Sequence, residues 1–320
     1  MKTIPAFCSL LVWAGAALAQ PYPSHPVKVI VPWPPGQATD IAARLLADRL
    51  QSALGQPFVI ENRPGAGGSI GSDIAARSPA DGYTLLAASS GPISIMPSFQ
   101  KLPYDPLKDF TLIGVITRNP YALVVHPSFP AANAREFVAL LKANPGKYTF
   151  ATSGTGATAH LFTEWFNSLA GVDARHVPYK GSAPALTDVM NGQVDYAMET
   201  VASVVGHIKS GRLKTYGVSS ARRAGALPEV PTLAEAAGMP ELDAAAWIGY
   251  AIPAASPREA VARIAAEMRK AMDSPEFRER LLNAGLDPAT LTPEETASFL
   301  RREQERYAAI IKLANIKVEN

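Results

Sequence analysis

Val27-Lys28-Val29-Ile30-Val31-Pro32-Trp33-Pro34-Pro35-Gly36-Gln37-Ala38-Thr39-Asp40 is the stretch on which the fold turns. Val27 to Trp33 reads as a strand, the prolines and Gly36 make a corner, and from Asp40 to Leu54 the pattern becomes helical. That helix would carry Ile41, Leu45, Leu46 and Leu50 on one side. The same grammar returns in Ala151-Thr152-Ser153-Gly154-Thr155-Gly156-Ala157-Thr158-Ala159-His160. Each corner frees backbone N–H groups at the positive end of a helix, and such groups hold a small anion without a cationic side chain. Two such corners in separate halves of one chain predict a protein that pinches something small.

Working outward from the first corner, Phe58 to Glu61 is a second strand. Asn62 to Gly71 is a Gly-rich turn, Ile70 to Arg77 a short helix and Thr84 to Ala88 a third strand. The order βαβαβ requires a parallel sheet with helices on its faces. A second alternating series starts at Ala122-Leu123-Val124-Val125. It predicts helices over 134–143, 157–169, 183–190 and 201–209, with strands over 148–152, 175–178, 194–198 and 213–219. The fold class is α/β, with two doubly wound units.

Two extended stretches join these units. Phe110 to Ile116 runs without a helix into Tyr121 to Val125, and Trp247 to Ile252 leads back out. They predict a hinge of two paired strands that closes by a few dihedral changes. The expected domains are 20–118 together with 250–320, and 119–249. Two late helices carry start signals: Ser256-Pro257-Arg258-Glu259 and Thr292-Pro293-Glu294-Glu295 both fit a capping box with proline in the first turn.

The first nineteen residues have a positive start at Lys2, an uncharged apolar run from Ile4 to Ala16, and Ala17-Leu18-Ala19 before Gln20. This is the pattern of a secretory signal peptide cleaved between Ala19 and Gln20. The only cysteine, Cys8, lies inside it, so the mature chain has neither disulfide nor cysteine metal site. Without Lys2, 29 basic residues face 28 acidic ones, a balance that suggests neither nucleic acid nor a membrane surface as partner. Hydrophobic residues at 48% supply ample apolar area for two cores.

Enzyme readings fit poorly. Gly154-Thr155-Gly156-Ala157-Thr158-Ala159 matches the dinucleotide fingerprint G-x-G-x-x-A. The next strand, however, ends in Tyr179-Lys180-Gly181, where the ribose-binding acid of a dinucleotide-binding oxidoreductase belongs. No G-x-S-x-G elbow or H-E-x-x-H pattern occurs. His160 and Glu164, four apart, share a helix face and suggest a surface hydrogen bond rather than half of a metal site. No cofactor, metal or catalytic residue is expected.

The Pro-rich corner with Thr39-Asp40, Glu61-Asn62-Arg63-Pro64-Gly65-Ala66-Gly67-Gly68, Asp81-Gly82-Tyr83-Thr84, Leu102-Pro103-Tyr104-Asp105-Pro106, His176-Val177-Pro178-Tyr179-Lys180-Gly181 and His207-Ile208-Lys209-Ser210-Gly211 occur in order along the mature chain. In these motifs the chain resembles the Bug (Bordetella uptake gene) substrate-binding proteins of tripartite tricarboxylate transporters. The resemblance implies a periplasmic Venus-flytrap receptor, expected to be a monomer. It would capture a small organic carboxylate, or its amide, between two domains and deliver it to a membrane permease. A sensor kinase is the alternative recipient, since either can read the same closure.

Carried over by position, the resemblance implies a first binding loop of Trp33 and Pro35, Gly36, Gln37 and Ala38. The second comprises Ser153, Gly154, Gly156 and Ala157, and Ser90, Tyr179 and Glu199 would line the remainder. Three positions depart from the family pattern. Gln37 and Ala38 stand where Gly-Gly is usual, Ala157 replaces a common Ser or Thr, and Glu199 replaces the usual Asp.

Overall fold

The computed structural model describes residues 22–291, 293–314 and 316. The leader 1–19, its cleavage point between Ala19 and Gln20, and Thr292 of the second capping box lie outside them.

In chain order the elements are β1 (Val27–Val31), α1 (Ala38–Leu54), β2 (Phe58–Asn62), α2 (Ser69–Ala76), β3 (Thr84–Ser89), β4 (Phe110–Val125), α3 (Ala134–Lys142), β5 (Thr149–Thr152), α4 (Thr158–Ala170), β6 (Arg175–Pro178), α5 (Ser182–Met190), β7 (Tyr196–Thr200), α6 (Val201–Lys209), β8 (Lys214–Val218), α7 (Leu233–Ala237), β9 (Ala245–Pro253), α8 (Arg258–Asp273), α9 (Pro275–Asn283) and α10 (Pro293–Leu313). β1 stops at Val31, short of the expected Trp33, because Pro32 and Pro34 have no N–H to give a ladder. β7 starts two residues later than its apolar run suggests. The N–H groups of Gln193 and Val194 are turned back onto Asp188 O at the end of α5.

β1 pairs in parallel with both β2 and β3, and β5 in parallel with both β6 and β7. Each unit therefore has its parallel core, as the alternation requires. The two are joined by β4 and β9, antiparallel partners from Phe110↔Pro253 to Pro120↔Ala245. The far end of β4, Tyr121–Val125, is ruled into the second unit by pairing with β7 and β8. The full order is β2-β1-β3-β9-β4-β7-β5-β6, with β8 also on β4. β3 and β9 are buried along their whole length, as strands covered on both faces must be.

One apolar cluster gathers Leu46, Leu50, Tyr250, Met268 and Phe277 around the first unit, and another gathers Phe137, Phe150, Phe166 and Tyr196 in the second. α10 spans both units: Phe299 and Leu300 pack with Trp247 and Leu86, while Tyr307 and Ile310 join the second cluster. The expected capping box at Ser256 does not form. Helix α8 begins at Arg258 with Pro257 as its cap, and the buried Ser256 hydroxyl makes no hydrogen bond among the described residues. Among the described residues, the side chains that cap helices are Asn133, Thr232 and Ser274, each accepting a backbone N–H three residues on.

Candidate functional site

The first corner is held from beneath by Asp40, which is 3% exposed. Its Oδ2 accepts the Gly36 N–H at 2.9 Å, and Arg44 Nε and Asn62 Nδ2 donate to the same carboxylate. Burial alone would raise the pKa of Asp40, but these hydrogen bonds outweigh it and hold the carboxyl below its usual range. α1 then starts at Ala38 with no side chain capping it. The N–H groups of its first turn have no intrahelical acceptor, so Ala38 and Thr39 present donors at the positive end of the helix.

The second corner is braced by histidines. His160 and His176 stack with ring centroids 4.2 Å apart. His160 Nδ1 accepts the Gly156 N–H at 3.3 Å, and His176 Nε2 meets Thr152 Oγ1 at 2.6 Å. Burial pushes His160 down to about 3, helped by the neighbouring His176, and burial pushes His176 down to about 4. Both rings are therefore neutral at pH 7, as a ring nitrogen that accepts a hydrogen bond requires. His160 is thus no surface residue, against the expectation from its spacing to Glu164; it is 3% exposed because α4 turns that face inward. Its Nε2 lies 3.8 Å from Glu164 Oε1. Among the described residues no group of His, Cys, Asp and Glu could hold a metal ion.

The amides of the corner glycines already have acceptors within the protein. The N–H of Gly36 goes to Asp40, that of Gly154 to Thr152 Oγ1, that of Gly156 to His160 and that of Ala157 to Gly154 O. A turn this tight brings its own acceptors within reach of its own donors, so these four amides are spoken for. Further N–H groups without an intrahelical acceptor come one step later, on the first turns of α1 and of α4, which is likewise uncapped.

Those two first turns meet in one closed cleft. A cavity of about 40 Å³ is lined by Ala38 and Thr39 of α1 and Thr158 of α4, together with Trp33, Gln37, Ser90, Ser153 and Glu199. Trp33 is fixed by donating Nε1–H to Ser89 Oγ at 2.9 Å. Ser90 Oγ accepts the Trp247 N–H at 2.8 Å, which ties the cavity floor to β9. The units touch across the opening, where Gln37 Nε2 donates to Ser182 Oγ at 3.1 Å and Ser182 donates to Glu199 Oε2 at 2.9 Å. Gly181 has φ +113°, and a methyl there would sit 3.0 Å from Pro34 Cγ and 3.3 Å from Gln37 Nε2. Glu199 is 2% exposed, and burial pushes its carboxyl up to about 7 despite the hydrogen bonds from Ser182 and the Thr200 N–H.

Of the residues singled out in the sequence, Trp33, Gln37, Ala38, Ser90, Ser153 and Glu199 come together on the cavity wall. Pro35 and Gly36 face an outer cleft beside Lys180, and Gly154, Gly156 and Ala157 are not among the lining residues. Tyr179 points elsewhere: its hydroxyl donates to Asp188 Oδ2 at 2.5 Å on α5. Tyr179 follows the last residue of the short β6 and faces that helix rather than the cleft, because strand alternation does not fix which way a residue beyond the strand turns. Sequence reading missed Thr39, Thr158 and Ser182, each one residue beyond an expected binding loop or a marked motif. It also missed Asn119, Tyr121 and Trp247, whose signal is that they lie on the crossing strands.

Two α/β units hinged on paired strands, with two uncapped helix starts converging in the cleft between them, define a solute-binding clamp of the periplasmic type. The chain belongs to the tripartite tricarboxylate transporter family receptors, whose family model matches residues 42–316. It is 37% identical to Protein BugT of Bordetella pertussis, over 100% of this chain and 98% of that protein. A Rhodopseudomonas palustris protein solved with adipate superposes with TM-score 0.89 at 32% identity, covering 92% of this chain and 99% of the other. MatC of the same species, solved with bound malate, gives 0.83 at 32% identity, over 91% and 100%. Members of this family are periplasmic solute-binding receptors of tripartite transporters. Among the described residues no helix is long and apolar enough to cross a membrane.

Proposed function

We propose that the protein, exported by its first nineteen residues and cleaved between Ala19 and Gln20, acts in the periplasm as a monomeric receptor. It clamps one carboxylate of a small organic acid between the first turns of α1 and α4 and presents the closed form to its membrane permease. The observation that carries this reading is the meeting of both uncapped helix starts in a single cavity. Fixed peptide dipoles need no reorganisation to receive a carboxylate, and each helix end contributes about 0.3 to 1 kcal/mol. The adipate and malate seen in its structural relatives are ligands of this chemistry.

In this reading Ala38, Thr39, Ser153 and Thr158 face the carboxylate, Trp33 and Ser90 shape the wall, and Pro35, Gly36, Gly154, Gly156 and Ala157 set the path of the corners. The closing bodies are 20–118 with 250–320, and 119–249, turning about β4 and β9. A carboxylate satisfies both helix ends only when the domains are shut, so closure reports occupancy. Micromolar capture corresponds to about 8 kcal/mol, most of which shape contacts must supply. Isothermal titration and small-angle scattering against a panel of mono- and dicarboxylates and their primary amides test this. An acid should bind and compact the protein while its amide does not. Binding of amides without acids, or no compaction by any acid, would overturn the clamp.

A further inference from the structure

Beside the helix-start donors, the cavity wall carries two buried acceptor atoms that have no hydrogen bond among the described residues. Glu199 is buried at 2% exposure as the next-to-last residue of β7, and its Oε2 already accepts two hydrogen bonds, from Ser182 Oγ and from the Thr200 N–H at 3.3 Å. The direction of the first bond is set by its neighbour: Ser182 has one proton, its oxygen receives the Gln37 amide, and so that proton goes to Glu199. Its other oxygen, Oε1, makes no hydrogen bond of good geometry among the described residues, although the Ser153 hydroxyl lies close enough to the carboxyl to favour its ionised form. Asn119, wholly buried on β4, repeats the pattern. Its Nδ2 donates to Thr117 Oγ1 at 2.8 Å, while Oδ1 has no partner among the described residues. Both residues line the same cavity as the helix starts.

Buried acceptors left without donors cost stability, and native proteins rarely leave them so. We propose that the bound solute carries a hydrogen-bond donor, a hydroxyl or amino group, a few bonds from its carboxylate, and that Glu199 Oε1, flanked by Asn119 Oδ1, receives it. This rests on the carboxylate clamp described above and adds the second half of the ligand. An unsubstituted dicarboxylate brings no donor to Glu199 once its carboxyl, which burial pushes up to about 7, is ionised, so the titrations below are run at pH 8.

The test is calorimetric titration of the intact protein with matched trios: acetate, glycolate and glycine; propionate, lactate and alanine; succinate, malate and aspartate. Within whichever trio binds, the hydroxy or amino member should bind about tenfold or more tighter than the plain acid. Which of the two is preferred identifies the donor as hydroxyl or ammonium. Glu199→Gln, which puts an amide where the free acceptor stood, should narrow that ratio to within about threefold. Equal affinity across every binding trio, or an unchanged ratio in Glu199→Gln, would overturn this inference and leave the clamp standing. Failure of every acid in all three trios would overturn the clamp as well.

Discussion

Replacing Glu199 by Gln should change how stability depends on pH, and the size follows from its burial. The carboxyl moves from an ordinary 4.5 in the unfolded chain to about 7 in the folded one. A folded value above the unfolded one means that Glu199 does no harm below pH 4.5 and that stability is lost as pH rises from there through about 7, where the buried group must ionise. At about 1.4 kcal/mol per unit the full difference is about 3 kcal/mol. Glu199→Gln keeps a carbonyl oxygen for Ser182 and the Thr200 N–H and has nothing to ionise. Any constant offset from the altered hydrogen bonding cancels between pH values. Urea unfolding of the ligand-free wild type and variant at pH 4, 5, 6, 7 and 8 should show the stability difference shifting in favour of the variant by about 3 kcal/mol across that range. A difference that varies by less than about 1 kcal/mol would refute the reasoning, because a carboxyl desolvated as the structure shows cannot titrate without that cost.

Two other outcomes follow from the contacts. Gly181→Ala should weaken binding of whichever acid the receptor takes by about tenfold or more and enlarge the closed form in scattering, since the new methyl meets Pro34 and Gln37 across the cleft. Gly192→Ala, at φ +69° with nothing within 4 Å, carries backbone strain alone and should leave affinity unchanged; equal effects of the two substitutions would argue against closure at this seam. The histidine pair works in the opposite sense to Glu199. Its folded values of about 3 and about 4 lie below the ordinary 6.5, so the stability it contributes is present above pH 6.5 and lost as pH falls through them. His176→Phe preserves a ring against His160 and Phe150 and should lose about 2 kcal/mol less than wild type between pH 6.5 and 4 in the same urea assay; parallel curves would count against the buried pair.

The alternation of apolar period, the corners and the crossings were all legible in the chain, because each is a local property. Val27 to Val31 and Ala38 to Leu54 announce strand and helix by their own spacing, and a stretch as long and β-rich as Phe110 to Val125 has no plausible reading but extended. The resemblance in sequence motifs led to the same family that the comparisons establish. What local pattern could not supply was the direction of side chains at element ends. Tyr179 and Glu199 both lie at the ends of strands of the second unit, one just past β6 and the other next to last in β7, yet one turns to Asp188 and the other to the cleft.

By itself, then, the sequence determined that two α/β units exist, that strands join them and that two helices begin at sharp corners. Only the tertiary structure decided which amides remain available, since Asp40 and His160 claim those of Gly36 and Gly156. It also decided what closes the clamp. Gln37 and Ser182 are 145 positions apart and carry no mark of one another. The physical reason is range: backbone periodicity is written residue by residue, whereas the pairing of a buried acceptor with its donor depends on which surfaces packing brings within 3 Å.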